Sequence, residues 1–231
     1  MMLDPSLLSR QALDAMAAAG DEVIAIEADM RARGTSPRAL LVGAGEPAEM
    51  RHYPAGDVYD FSSHCQYYCH LHRPAEHGHI HTFLRPLGMP PGIEPVALAG
   101  GEDSPCHLVA VGLNGHGFAC ELFTTNRWVT GESWYVAADV ATILPRFRMA
   151  GGGAAGLVGR WLTALLALYR PLVISLVEQR DETVAAWRLA HPGRDPLNDP
   201  DLELTSRAAI DLGMWRKAVV AARVSLLEQG D

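Results

Sequence analysis

Between Cys65 and Leu84 the chain reads CQYYCHLHRPAEHGHIHTFL, and five of its ten histidines fall inside that stretch. They occupy alternate positions: His70 and His72, then His77, His79 and His81, with Glu76 between the two groups. Successive side chains of a β-strand point to opposite faces, so each group presents its imidazoles to one side. Imidazole nitrogens bind zinc, iron, copper or nickel at about 2.0–2.1 Å, and imidazole alone does not choose among those ions. Neutral rings packed together without an ion compete for hydrogen bonds, and protonated rings repel one another. A metal takes up the lone pairs and removes both problems. The expected chemistry is therefore a divalent transition-metal centre held by a subset of His70, His72, His77, His79 and His81.

An element must bring the two groups together. Gln66 to His72 alternates and is rich in aromatics; Arg73-Pro74-Ala75-Glu76 has the composition of a turn; His77 to Leu84 returns as a second strand. That turn sets His72 opposite His77, His70 opposite His79, Tyr68 opposite His81 and Gln66 opposite Phe83. The other face pairs Leu71 with Gly78, Cys69 with Ile80, Tyr67 with Thr82 and Cys65 with Leu84. A slip of one residue would mix imidazole with apolar side chains on both faces, and register follows the face that is buried. Directly opposed Cβ atoms lie about 4.5–5.5 Å apart, close enough for several rings to share one ion. Glu76 is expected as a ligand or as the general acid and base, and Tyr68 as the group that orients a ring or a bound oxygen species. His52, Asp57 and Asp60 are candidates to orient imidazoles, and His107 is a candidate further ligand.

The remaining elements frame this hairpin. Asp4-Pro5 opens an N-terminal helix whose apolar stripe runs to Met30, with Gly20-Asp21 a candidate break. A second hairpin is expected at His107–Asn126 with Asn114-Gly115 as a two-residue loop, pairing Leu113 with His116, Val111 with Phe118 and Val109 with Cys120. Trp128 to Tyr135 reads as strand or pocket rim, where Arg127 and Glu132 can meet a substrate. Leu157 to Arg188 reads as a long helix kinked near Pro171, and Leu202 to Glu228 as a final helix. The fold class is α+β: an antiparallel sheet of hairpins, an N-terminal helix and two or three C-terminal helices. Residues 1–150 carry the helix and the histidine-bearing sheet, and residues 151–231 form a helical segment packed on it as part of one domain.

Composition bounds the partners. The 231 residues include 27 acidic and 19 basic side chains, a formal charge of −8 that disfavours nucleic acid and anionic membrane. The longest apolar stretch, Trp161 to Tyr169, lies between two arginines and is too short to span a bilayer. The N-terminus lacks a secretory pattern, and the four cysteines form no zinc-type CxxC pair. A cytoplasmic protein with reduced thiols and a small-molecule substrate is expected.

Three resemblances follow from these residues. His52 to Arg85, with HYP, YYCHLH and EHGHIHTFLR, together with FTTNRWVTGESWY further on, resembles an uncharacterised bacterial family and implies no activity. His70-x-His72-x₃-Glu76 resembles the first metal motif of the cupins, which implies His70, His72 and Glu76 as ligands; the second cupin motif is absent. His77-x-His79-x-His81 resembles the centre of the histidine-triad nucleotide hydrolases and transferases, which implies His79 as a nucleophile toward phosphate without a metal; Gly78 stands where that motif carries an apolar residue. A metalloenzyme performing oxidation or metal-assisted hydrolysis is the first reading, non-enzymatic metal or haem binding the second, and triad-like transfer the third.

Overall fold

The residues that alternate most strictly around the histidines form the centre of the sheet. A computed structural model describes residues 4–43, 48–71 and 77–228. In it Cys65–His70 and His79–Leu84 are antiparallel neighbours, with Tyr68 opposite His81 and His70 opposite His79. This is the register expected from burial of the apolar face. The first strand is β1 (Tyr53–Tyr59), the histidine strands are β2 and β3, and β4 (Cys106–Leu113), β5 (Ala119–Thr125) and β6 (Leu204–Ala209) follow. All six pair antiparallel in the order β1-β2-β3-β4-β5-β6.

One face of the sheet, with Tyr67, Cys69, Ile80, Val109, Val111 and Leu122, belongs to the hydrophobic core. Its cover is helical: α1 (Arg10–Ala32), α2 (Pro37–Val42), α5 (Gly153–Leu168), α6 (Arg170–Ala190) and α7 (Leu212–Glu228). The short helices α3 (Arg127–Thr130) and α4 (Ala137–Ile143) lie between β5 and α5 in the chain. Helix α1 starts where the Ser9 side chain accepts from the Ala12 N–H, and it buries Leu13, Met16, Ala17, Gly20, Val23, Glu27 and Met30. That three-and-four spacing puts one stripe toward the core, and each large aliphatic side chain fully buried contributes about 1.5–3 kcal/mol. Trp161 of α5 sits in the same core and donates its indole N–H to Glu27 at 3.1 Å, giving both buried polar groups a partner. The fold is α+β.

Several expectations need correction. Gly20-Asp21 does not interrupt α1. Asp4-Pro5 caps only a 3-10 turn, Pro5–Leu7, and Ser9 is the cap that starts the helix. Asn114-Gly115 is not a two-residue hairpin loop: the Asn114 N–H reaches the Phe118 carbonyl, and Leu113 pairs with Ala119 and Val111 with Leu122. The Asn114 side chain accepts from the N–H groups of His116 and Phe118, and Gly117 supplies the positive φ of 79° that closes this longer turn. Leu202 to Glu228 is not one helix, because Leu204–Ala209 joins the sheet as β6 before α7 begins. Helices α5 and α6 do divide near Pro171, bent by 78°. Among the described residues no single helix is long and apolar enough to cross a membrane. The four cysteines are free thiols.

Candidate metal centre

The face of the sheet away from the main helical core carries the histidines. His70 comes from the end of β2, His79 and His81 from β3, and all three are buried, His81 completely. The His70 and His79 Nε2 atoms are 2.6 Å apart, and the His79 and His81 Nε2 atoms 3.0 Å. One ring nitrogen of each lies within 4.8 Å of the other two. The rings meet edge to face, with centroids 4.4 Å apart for His70 and His79 and 4.8 Å for His79 and His81, so nitrogens rather than ring faces converge. Two nitrogens bound to one tetrahedral ion at 2.0–2.1 Å stand about 3.3 Å from each other. Small side-chain movements therefore convert this arrangement into a three-imidazole site. The donor set fits a borderline transition metal and offers no oxygen-rich cage for calcium or magnesium.

Behind the cluster lies His107 of β4. Its Nε2 is 3.0 Å from Nδ1 of His81, which leaves Nε2 of His81 toward His79. If Nε2 of His81 holds an ion, its proton resides on Nδ1 and is donated to His107, whose own proton then sits on Nδ1. Beyond His107, the fully buried Glu132 accepts the His107 backbone N–H at 2.7 Å. Burial, and after it the charge of Arg180, pushes the His107 ring down to about 3. Burial pushes Glu132 up to about 8, against the opposing pull of Arg180 and the His107 N–H. The two side chains approach to 3.9 Å, and burial works against the charged form of both, which disfavours an ion pair here.

On the other side of the cluster, Tyr68 stands 5.3 Å from the His81 ring and stacks on His52, centroids 3.7 Å apart and planes within 8°. Burial pushes its phenol well above the ordinary range, so it stays protonated. His52 is held by Asp57 at 2.9 Å, Asp57 accepts from Gln66 at 2.7 Å, and Gln66 accepts from Arg85 at 2.8 Å. This polar chain pins the partly exposed His52 ring over Tyr68. Asp60 plays no part in it. Although burial pushes its carboxyl up, hydrogen bonds from Ser62, Ala150 and Ser63 hold it far below the usual carboxylate range. It ties the β1–β2 turn to the chain entering α5.

The other expected residues fall as follows. His72 and Glu76 lie outside the described residues. His77 is exposed and is not brought to the three converging nitrogens, because Gly78 at φ 82° breaks the strand alternation just before β3 begins. A Cβ at Gly78 would stand 3.0 Å from Leu71 Cγ and 3.1 Å from the His70 carbonyl oxygen, so the close packing of the hairpin itself demands glycine here. Arg127 is engaged by the Leu98 carbonyl and by Asn198, and Glu132 lies beneath His107 instead of meeting a substrate. Trp128 and Val129 are in α3, not a strand. Sequence reasoning missed Phe123, whose ring meets His79 edge to face at 5.2 Å. The displaced register of the second hairpin hid it.

No curated protein and no solved structure matches the chain. The family described as a domain of unknown function (DUF6969) matches residues 17–210, which takes in the whole sheet, most of α1 and helices α2 to α6. The chain therefore belongs to the DUF6969 family.

Proposed function

We propose that this protein binds a transition-metal ion through His70, His79 and His81 and is a small metalloenzyme acting on a small molecule. The observation that carries the reading is the convergence of three buried ring nitrogens, two of the pairs at 2.6 and 3.0 Å. Three protein ligands leave a coordination position for a reacting group, as catalytic sites do and closed structural sites do not. Glu76 belongs to the same proposal as acid or base, and His72 as a member of the ligand set whose addition as a fourth imidazole would favour the non-catalytic reading.

A redox-inert ion would supply a water of lowered pKa for hydrolysis, and iron or copper would supply electron transfer for oxidation. Around either, the chain's own residues have definite tasks. His107 holds the proton on Nδ1 of His81, which keeps Nε2 of His81 as a donor. Tyr68, protonated and fixed between His52 and His81, sets its phenol ring beside the cluster. Phe83 and Phe123 keep its surroundings apolar.

Metal storage without catalysis is the competing reading; an open groove against His79 favours catalysis. The triad-like reading requires His79 to face a phosphate, whereas its Nε2 faces His70 and His81. The acidic balance of the chain, with a formal charge of −8, favours a small-molecule partner over nucleic acid. Elemental analysis of untagged protein tests the proposal. Stoichiometric zinc, iron, copper or nickel, lost in His79→Ala, is the expected result. Protein that carries no transition metal and takes none up on reconstitution sinks it.

A further inference from the structure

The sheet carries an open groove of about 430 Å³ beside the histidines. His79 lines it on the β3 side, Glu121, Phe123 and Thr125 come from β5, and Glu203 and Arg207 line it from β6 or just before that strand. Gly112 of β4 has no side chain to fill the groove, and Glu121 lies across it: a Cβ there would stand 2.4 Å from Glu121 Cγ.

We infer that this groove binds the substrate of the metal centre, and that the substrate is a small amino alcohol. The inference rests on the metal reading above for the word substrate; the chemical class is read from the groove itself. Thr125 is 4% exposed, and its hydroxyl has no hydrogen-bond partner among the described residues. Its neighbour Thr124 points to the opposite face, where it bonds Thr205 and Ser206, so Thr125 is the residue of the two on the groove side, with its hydroxyl buried in the groove lining. A buried hydroxyl left unsatisfied is a cost that a ligand hydroxyl removes.

Charge sets the other end. Arg207 is engaged by Glu121 at 2.5 Å, so the cation lining the groove is already matched. Glu203 is exposed and its carboxylate makes no ion pair among the described residues. Two carboxylates, Glu121 and Glu203, line the groove with one guanidinium, and an incoming ammonium group can pair with the carboxylate that Arg207 leaves unmatched, where an incoming carboxylate would be repelled. The Phe123 ring also lines the groove, and aromatic rings attract organic cations.

The test is an NMR titration of metal-loaded and metal-free protein with three probes of equal length: 4-amino-1-butanol, 1,4-butanediol and 4-hydroxybutanoate. The amino alcohol should shift Thr125 and Phe123 resonances saturably and bind about five-fold tighter than the diol, with the hydroxy acid weakest. Glu203→Gln, at an exposed position, should erase the preference for the amine. Thr125→Val should weaken the amino alcohol while raising the Tm, since it removes an unsatisfied hydroxyl; a merely structural hydroxyl would lower the Tm instead. Equal or reversed probe order, shifts mapping elsewhere, or unchanged binding in Thr125→Val overturns the inference. Amine selectivity in a protein that takes up no metal refutes the metal reading alone; metal uptake without amine selectivity refutes the groove assignment alone.

Discussion

His81 has both ring nitrogens engaged, Nε2 toward His79 and Nδ1 toward His107, and that divides the labour between ligand and orienting group. Removing an orienting partner typically weakens metal binding about 10–100-fold without abolishing it. His107→Phe, which fills the same buried space, is expected to show that loss in chelator competition, whereas His81→Ala should lose stoichiometric binding altogether. Glu132 makes a second prediction. Its pKa is raised in the folded protein from 4.5 to about 8, so the folded state holds this proton more tightly than the unfolded chain. The resulting stability is fully present below 4.5 and is lost as the pH rises through 8. Glu132→Gln cannot ionise but still accepts the His107 N–H, and should flatten the decline in urea midpoint across that window. An unchanged decline would show that Glu132 is already ionised in the folded protein.

At the scale of elements, the β2–β3 hairpin was legible because both of its faces specify the same register. A one-residue slip would have buried His79 and His81 against the thiols and aliphatics of the helical core. The turn into β3 is the sensitive point. Gly78→Ala places a Cβ against Leu71 at a φ of 82°, and is expected to cost about 1–3 kcal/mol in denaturant unfolding. Gly100→Ala, where nothing lies within 4 Å, is the control and should be near neutral. The β4–β5 hairpin was misread because Asn-Gly favours a two-residue turn only when the backbone needs positive φ there. Here that requirement falls on Gly117, and the Asn114 side chain caps a longer loop. β6 was missed for another reason: LTSRAA lacks a strong apolar alternation, and the periodic pattern of α7 extends visually back over it.

Taken as a whole, the molecule depends on that missed strand. β6 covers the edge of β5, its Ser206 hydroxyl donates to the Leu176 carbonyl of α6, and Thr124 bonds Thr205 and Ser206 within the sheet. α7 then returns to α1, where Arg216 pairs with Asp21 and Arg223 with Asp14. A chain ending at Asp201 loses both, leaving the β5 edge and part of the core exposed. Its urea unfolding is expected to lose the sigmoidal transition of the full chain; a retained cooperative transition would show residues 4–201 to be self-sufficient.

Local periodicity alone determined much of the site: that His70, His79 and His81 share a face, that Tyr68 opposes His81, and that an α+β sheet carries them. Only tertiary structure decided the rest. His77 shares the motif's spacing yet leaves the cluster because Gly78 turns the chain. His107 arrives from 26 residues beyond His81. The groove takes Arg207 from β6, a strand whose Ser206 is 82 residues from its partner Thr124, and Glu203 from just before it. Alternation constrains neighbours within one strand pair, where the pleat dictates orientation. Which further strands lie alongside depends on how the whole apolar face is covered, and no short-range pattern encodes that.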